Sequence, residues 1–245
     1  MHLRLALSSV SALAAILIGG SSVAAHSPAV VGPGNESPGT AHVLEDPTLS
    51  RALGATLDAA GEVDWYRMDL RAGDPLVVEV TAPDAAGGMA TSFTVLGPGL
   101  DAPSTEEAAA LAKEVGVEGA IGHAAEGGER EVHGGLGFIA WGGIRTTAPT
   151  DGTYWIAVRS AVDGETGKYV LAPGVREEFG ADAIGGMADL VAFFNAPWPS
   201  EPGTSAPTAG ADGTVAAVVL VGVGLVVGGV LAAGLRRSRR APKDG

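Results

Sequence analysis

The sequence predicts an all-β protein, an antiparallel β-sandwich that carries one short inserted helix and one C-terminal helix. Two observations lead to this fold class. Short runs of alternating apolar and polar residues recur between positions 53 and 171, and turns rich in Gly, Pro and Asp separate them. A hydrophobic content of 46% is sufficient for a core, and the absence of cysteine means that packing alone must stabilise it.

The clearest alternation lies at 63–70, where Tyr66, Met68 and Leu70 share one face of the predicted strand. The next run, 76–80, follows a turn at 72–75, so the two runs are expected to pair as a hairpin. Three further strands are predicted around 93–95, 154–158 and 169–171, and weaker candidates lie at 55–57, 117–121, 129–133 and 136–141.

Two segments favour helix. Ser104 and Glu107 have the spacing of a capping box at the head of an alanine-rich stretch, 105–115, which predicts a short surface helix. Near the end of the folded body, apolar residues recur at helical spacing, at Ile184, Met187, Leu190, Val191 and Phe194. This helix is expected to pack against the sandwich. The alternative, a helix lying on a membrane, lacks the Lys and Arg of an interfacial helix.

Both ends of the chain indicate export and membrane attachment. A cation near the start, an apolar run at 5–18 and small residues before His26 predict a secretory signal peptide. A second, uncharged apolar run at 215–235 is long enough for one transmembrane helix. The basic tail that follows it should stay in the cytoplasm, which leaves the body extracytoplasmic on a single-pass protein of the cell membrane.

The predicted organisation has seven parts. They are a signal peptide (1–25), an N-terminal extension (26–44), the β-sandwich ectodomain (45–175), an amphipathic helix region (176–196), a flexible stalk (197–214), the transmembrane helix (215–235) and a basic cytoplasmic tail (236–245). Gly224 and Gly228 have GxxxG spacing within the transmembrane helix, which would let two helices approach closely and form a homodimer.

Composition excludes one class of partner. The net charge is −13, and the 4 Trp, 3 Tyr and 5 Phe are few for stacking on bases. Because the basic residues form no stripe outside the C-terminal tail, we do not expect nucleic acid to bind. An acidic surface of this kind serves solubility, or attracts cations and cationic partners.

Four short segments near turns, three of which contain aromatic residues, suggest a family: DWYRMDL at 64–70, LVVEV at 76–80, GTYWIAV at 152–158 and GKYVL at 167–171. Together they resemble the bacterial pre-peptidase C-terminal domain, over about 51–173. The resemblance implies a small jelly-roll-like β-sandwich, used on secreted hydrolases for substrate or surface binding and sometimes associated with calcium. No catalytic domain accompanies it here, and the long stretch between positions 96 and 150 makes 119–143 the expected seat of specific function.

The chain lacks the GxSxG, SxxK, HExxH and P-loop motifs of common hydrolases and phosphate-binding sites. We therefore predict a non-enzymatic binding or interaction module whose protein or surface ligand the sequence does not identify. A hydrolase with an unrecognised site remains an alternative. Glu62, Asp64 and Asp69 are interpreted as turn carboxylates that cap the backbone, and Trp141 as a partly buried ring.

A second alternative is extracytoplasmic metal binding, although the predicted function requires no cofactor. Cleavage before His26 would join an α-amine to an imidazole, a chelate that suits copper. The segment 119–143 adds nitrogen donors for copper and carboxylates for calcium, at His123, His133, Glu129 and Glu131. The sequence leaves open whether this segment meets the N-terminus.

Overall fold

Two β-sheets face each other across a shared apolar core, which confirms the all-β sandwich. A computed structural model describes residues 27–84, 89–125, 128–133, 136–178 and 181–196. The predicted signal peptide, stalk, transmembrane helix and cytoplasmic tail, with Gly224 and Gly228, lie outside these ranges and remain predictions. Among the helices in these ranges, none has the length and apolar character needed to cross a membrane.

The first sheet contains six strands, in the order β1 (Ser27–Val30), β3 (Arg51–Leu57), β11 (Gly167–Pro173), β5 (Pro75–Pro83), β9 (Leu136–Thr147) and β8 (Glu129–His133). The second contains five, in the order β2 (His42–Val43), β4 (Asp64–Leu70), β10 (Gly152–Ser160), β6 (Thr91–Gly97) and β7 (Gly119–His123). All nine strands predicted from the alternation are present. The predicted N-terminal extension supplies two more, and the β1–β3 and β2–β4 pairs are parallel rather than antiparallel.

The core lies between the sheets, where the inward face of each strand meets the other sheet. Full burial of a side chain such as Leu or Val contributes about 1.5–3 kcal/mol, so this layer dominates the stability of the fold. Its members include Leu53, Leu57, Tyr66, Met68, Leu70, Leu76, Val78, Val80, Phe93, Val95, Tyr154, Ile156, Val158, Tyr169 and Leu171.

The predicted hairpin at 63–80 is wrong. β4 belongs to the second sheet and β5 to the first, so the turn between them crosses from one sheet to the other. Asp74 stabilises this turn because its Oδ2 accepts a hydrogen bond from the Arg71 amide, 2.8 Å away. Alternation specifies which face of a strand is buried, but not which strand lies beside it. The neighbour of β4 is β10, with Tyr66 opposite Ile156.

Helix α1 (Glu106–Val115) covers the outer face of the second sheet. Its N-cap is Thr105, whose side chain accepts a hydrogen bond from the Ala108 amide, 3.1 Å away. The predicted cap at Ser104 is therefore wrong by one residue. Leu111 belongs to the same buried cluster as Trp65, which is only 1% exposed although the alternation places it on the polar face of its strand. An inserted helix has turned that face into a second buried surface.

Helix α2 (Ala181–Asn195) covers the outer face of the first sheet, which confirms that it packs against the sandwich. Two glycines permit the close approach. A Cβ at Gly54 would lie 2.6 Å from Leu190 Cδ1, and a Cβ at Gly186 would lie 2.0 Å from the Pro28 carbonyl oxygen. Leu190 is buried in this contact.

Candidate functional site

Asp64 is the first residue of β4 and lies inside the sandwich. It shares the period-two phase of Tyr66, Met68 and Leu70, so the strand directs it toward the core. The residue is only 2% exposed. Buried carboxyl groups are rare unless they are paired, so this position calls for a physical explanation.

Two tyrosines, one from each sheet, form a chain of hydroxyl groups that ends at Asp64. The Tyr169 hydroxyl on β11 donates a hydrogen bond to Asp64 Oδ2, 2.5 Å away, and the Tyr66 hydroxyl on β4 lies 2.7 Å from the Tyr169 hydroxyl. Both tyrosines are fully buried. We refer to Asp64, Tyr66 and Tyr169 as the polar triad. It links the two sheets and holds the carboxyl group in one orientation.

The second carboxylate oxygen of Asp64 has no such partner. Oδ1 is buried and makes no hydrogen bond to any residue within the described ranges. Asp64 also lines a pocket of about 200 Å³, which we call the Asp64 pocket. Its walls include Val30, Val31, Pro33, Asp58, Asp64 and Phe193.

The N-terminal segment forms one side of this pocket because Asn35 fastens it to β4. The Asn35 carbonyl accepts a hydrogen bond from the Trp65 amide, 2.8 Å away, and Asn35 Nδ2 donates to the Trp65 carbonyl, 3.4 Å away. Asn35 is buried, and it also lines the pocket. Ala55 and Thr56 of β3 and Phe193 of α2 also line the pocket. The pocket therefore joins four separate parts of the chain.

Burial raises the pKa of Asp64 to about 7, because the low-dielectric surroundings disfavour the ionised form. The Tyr169 hydrogen bond acts in the opposite direction, while the nearby carboxylates of Glu62, Glu36 and Asp58 raise the pKa further. Burial likewise raises the pKa of Tyr66 and Tyr169 above the ordinary value of a phenol. Both tyrosines therefore remain neutral donors at physiological pH, whereas Asp64 titrates there.

The pocket is small and mostly apolar in its lining. Functional ligand pockets usually measure about 300–1,000 Å³, so the Asp64 pocket suits a small ligand. At about 30 Å³ per molecule, its volume corresponds to roughly seven waters. Its lining combines the carboxylates of Asp58 and Asp64, and the polar side chains of Asn35 and Thr56, with apolar walls.

The three carboxylates interpreted as backbone caps have different environments. Glu62 does cap its turn, because its Oε2 accepts a hydrogen bond from the Ala59 amide, 2.7 Å away. Asp69 is exposed and accepts from the Thr153 hydroxyl, 2.7 Å away. For Asp64 the interpretation is wrong, since it lies in the core. The signal was available in the sequence: Asp64 stands two residues before Tyr66, in the buried phase of the same strand.

Of the predicted metal ligands, His123 lies on β7 at the edge of the second sheet. Its Nε2 is 2.7 Å from the Trp141 carbonyl oxygen of β9, and its ring packs against Phe93 with the ring centroids 5.2 Å apart. The pairing of β5 with β9 shifts by one residue here. Val80 lies opposite Gly142 and Thr81 lies opposite Ala140, so Trp141 lies between two paired positions. The Trp141 ring is partly buried, as expected, and its Nε1 donates to the Met89 carbonyl, 3.1 Å away.

The other predicted ligands are divided among different parts of the chain. Glu129, Glu131 and His133 lie on β8, at the edge of the first sheet, and not on the strand of His123. His26 falls outside the described ranges. In the part of the chain that the structure describes, no three His, Asp or Glu side chains form a group that could hold a metal ion. The metal site remains a prediction.

Comparison with known proteins adds no family assignment. No protein-family model matches the chain, and no curated protein matches its sequence. The resemblance to the pre-peptidase C-terminal domain therefore remains a prediction based on the four segments.

Proposed function

We propose that the protein is a single-pass cell-membrane protein whose extracytoplasmic sandwich is a non-enzymatic binding module, with the Asp64 pocket as its ligand site. The observation that carries this proposal is the Asp64 pocket itself, a cavity of about 200 Å³ whose lining combines Asp58 and Asp64 with apolar side chains.

The proposed relation to the pre-peptidase C-terminal domain fits this function. The four segments that carry the resemblance form β4, β5, β10 and β11. Two of these strands, β4 and β11, provide the polar triad. We infer that the sandwich is jelly-roll-like and serves for binding, as the resemblance implies.

The C-terminal attachment of the sandwich supports the proposed display on a stalk. Lys168 of β11 donates hydrogen bonds from Nζ to the carbonyl oxygens of Phe193 and Ala196, at 2.6 and 2.8 Å. Its ammonium also lies 4.9 Å from the centroid of the Phe193 ring. These contacts, which we call the Lys168 latch, fix the end of α2 to the sheet just before the proposed stalk at 197–214.

The proposal can be tested by thermal unfolding of the full mature chain in detergent micelles. A panel of small amines, neutral alcohols, sugars, carboxylic acids and metal ions is added one class at a time. At least one class should raise the Tm of the wild-type chain and of Asp69→Asn, but not that of Asp64→Asn. Asp69 is a matched control because it is an exposed aspartate of the same strand. If no class changes the Tm, the Asp64 pocket is not a ligand site.

Hydrolysis by an unrecognised site is a second candidate function. The observation that favours it is the pKa of Asp64, about 7, because a general base is most effective when its pKa lies near the working pH. A panel of small esters, amides and glycosides, incubated with the chain and followed by proton NMR, distinguishes the two functions. Turnover that Asp64→Asn abolishes and Asp69→Asn retains would replace the binding proposal with an enzymatic one.

A further inference from the structure

We propose that mild acid detaches β2 from the edge of the second sheet, because protonation of His42 places a second positive charge near Arg51 between the two sheets. This response goes beyond the proposed function, since it concerns how the N-terminal segment is attached and requires no ligand. It depends on the positions of two basic side chains, one on β2 and one on β3.

His42 faces the interior of the sandwich, although β2 is an edge strand. It lies opposite Tyr66 in the parallel pairing of β2 with β4, and residues that lie opposite each other share one face of a sheet. Tyr66 is fully buried in the core. The two rings meet edge to face, with their centroids 5.8 Å apart. The imidazole is therefore partly buried against an aromatic ring instead of lying in solvent.

Arg51 also faces the interior. It is the first residue of β3 and shares the period-two phase of Leu53 and Leu57, which belong to the core. Its Nε is buried and makes no hydrogen bond within the described ranges. Of the ion pairs between described residues, none involves Arg51 or His42. One cation without a carboxylate partner thus already lies at this edge of the sandwich.

A protonated His42 would have no counter-charge there. Burial lowers the pKa of His42 because partly apolar surroundings disfavour the imidazolium, and the positive charge of Arg51 lowers it further. On β4, the strand beside β2, the inward-facing titratable groups are Tyr66 and Asp64, whereas Arg67 is exposed on the outer face. Tyr66 stays neutral, and Asp64 is itself protonated below about pH 7, so neither supplies a negative charge in acid.

The direction of the effect follows from the lowered pKa. When β2 is detached, His42 is solvated and its pKa returns to the ordinary value of 6.5, above the value in the folded chain. The attachment is therefore at full strength above about pH 7 and weakens as the pH falls through the folded-state pKa. β2 is the part that should yield, because it is only two residues long and its attachment includes the bond from the Leu44 amide to the Arg67 carbonyl, 2.8 Å long.

Hydrogen exchange of the full mature chain in detergent micelles tests this response at the Leu44 amide. Its protection, relative to intrinsic exchange at each pH, should fall about fivefold or more between pH 7.5 and 5 in the wild-type chain. His42→Gln carries no titratable group, so its protection should change less than about twofold. His123→Gln, at the opposite edge of the same sheet, is the matched control and should show the wild-type fall. The Trp65 amide, which is bonded to the Asn35 carbonyl, should show no such fall.

A second measurement needs no variant. An NMR titration of the His42 imidazole in the wild-type chain should give a midpoint below 6.5. A midpoint at or above 6.5 would overturn the proposal, because protonation would then not oppose the attachment of β2. An equal fall in Leu44 protection in the wild type and in His42→Gln would overturn it as well, since acid would then act through another group.

Discussion

Tyr66 and Tyr169 meet hydroxyl to hydroxyl, 2.7 Å apart, from opposite sheets of the sandwich. When Asp64 is ionised, Tyr169 donates to the carboxylate and Tyr66 donates to Tyr169, so the two tyrosines act in series. The hydrogen bonds in such a chain polarise one another and become stronger in a low-dielectric core. The pair therefore joins the two sheets and stabilises a buried charge.

The two tyrosines should differ in their contribution to stability. Tyr66→Phe removes one net hydrogen bond and should lower the free energy of unfolding by about 1 kcal/mol. Tyr169→Phe also deprives Asp64 Oδ2 of its donor, so we expect a loss of about 2–3 kcal/mol at pH 8. Denaturant unfolding of the full chain in micelles measures both. Equal losses would show that the bond from Tyr169 to Asp64 contributes nothing beyond the tyrosine contact.

Asp64 should make stability fall as the pH rises. Its folded-state pKa of about 7 exceeds the unfolded value, so its contribution is fully present below about pH 4 and is lost as the pH rises through 7. Between pH 4 and 8 the wild-type chain should lose up to about 4 kcal/mol relative to Asp64→Asn, at 1.36 kcal/mol per pKa unit. Asp69→Asn should follow the wild-type profile. Parallel profiles for wild type and Asp64→Asn would contradict the raised pKa.

The Lys168 latch should govern the opening of α2. Lys168→Met keeps the length and the buried alkyl chain but loses the bonds to the Phe193 and Ala196 carbonyls. A loss of about 1 kcal/mol should speed hydrogen exchange in α2 about fivefold while leaving β4 and β10 unchanged. Lys113→Met, on the exposed surface of α1, is the control. Unaltered exchange in α2 would show that Leu190 and its neighbours hold the helix without the latch.

The predicted topology places the sandwich outside the cell and the tail at 236–245 inside. Protease treatment of intact bacteria that express the full chain with a tag on each end of the mature protein should release fragments from 26–214. The C-terminal tag should survive until the cells are lysed. Release of that tag from intact cells would reverse the predicted orientation.

The predicted metal ligands can be tested in the mature chain beginning at His26. Copper(II) titration should give micromolar or tighter binding that one additional residue ahead of His26 weakens at least tenfold, because the free α-amine is lost from the chelate. Glu129→Gln with Glu131→Gln should weaken calcium binding if these carboxylates are ligands. His42→Gln is a control outside the predicted set. Equal copper affinity with and without the additional residue would eliminate the N-terminal chelate.

Period-two alternation was sufficient to predict nine of the eleven described strands, because the burial of one face depends on the residues of the strand itself. It did not predict β1 and β2, which lie in the segment predicted as an N-terminal extension. It did not predict the partner of β4, since pairing depends on contacts between residues distant in sequence. It also misassigned Trp65, because nothing in the strand itself shows that α1 will cover its outer face. The N-cap was placed at Ser104 and not at Thr105 because two hydroxyl residues stand side by side. Only the backbone geometry shows which of them caps the helix.

The candidate site was harder to predict because its parts are dispersed. Asp64 was visible as a carboxylate, and its phase with Tyr66 indicated burial. Tyr169 is more than a hundred residues away, and Asn35 belongs to a segment without alternation that nonetheless forms one wall of the pocket. An unpartnered oxygen is a property of the assembled fold, so no local pattern reveals it.

Phe193 belongs both to the wall of the Asp64 pocket and to the end of α2 that the Lys168 latch secures. Tension applied to the chain from its C-terminal side would therefore act on the Lys168 latch before it acts on either sheet. The helix would peel away first, because its contacts are separate from the strand ladders. Peeling would remove one wall of the pocket and expose Gly54 beneath Leu190. If the Asp64 pocket holds the proposed ligand, tension on the chain and retention of the ligand are opposed, and a bound ligand would raise the force at which the helix detaches.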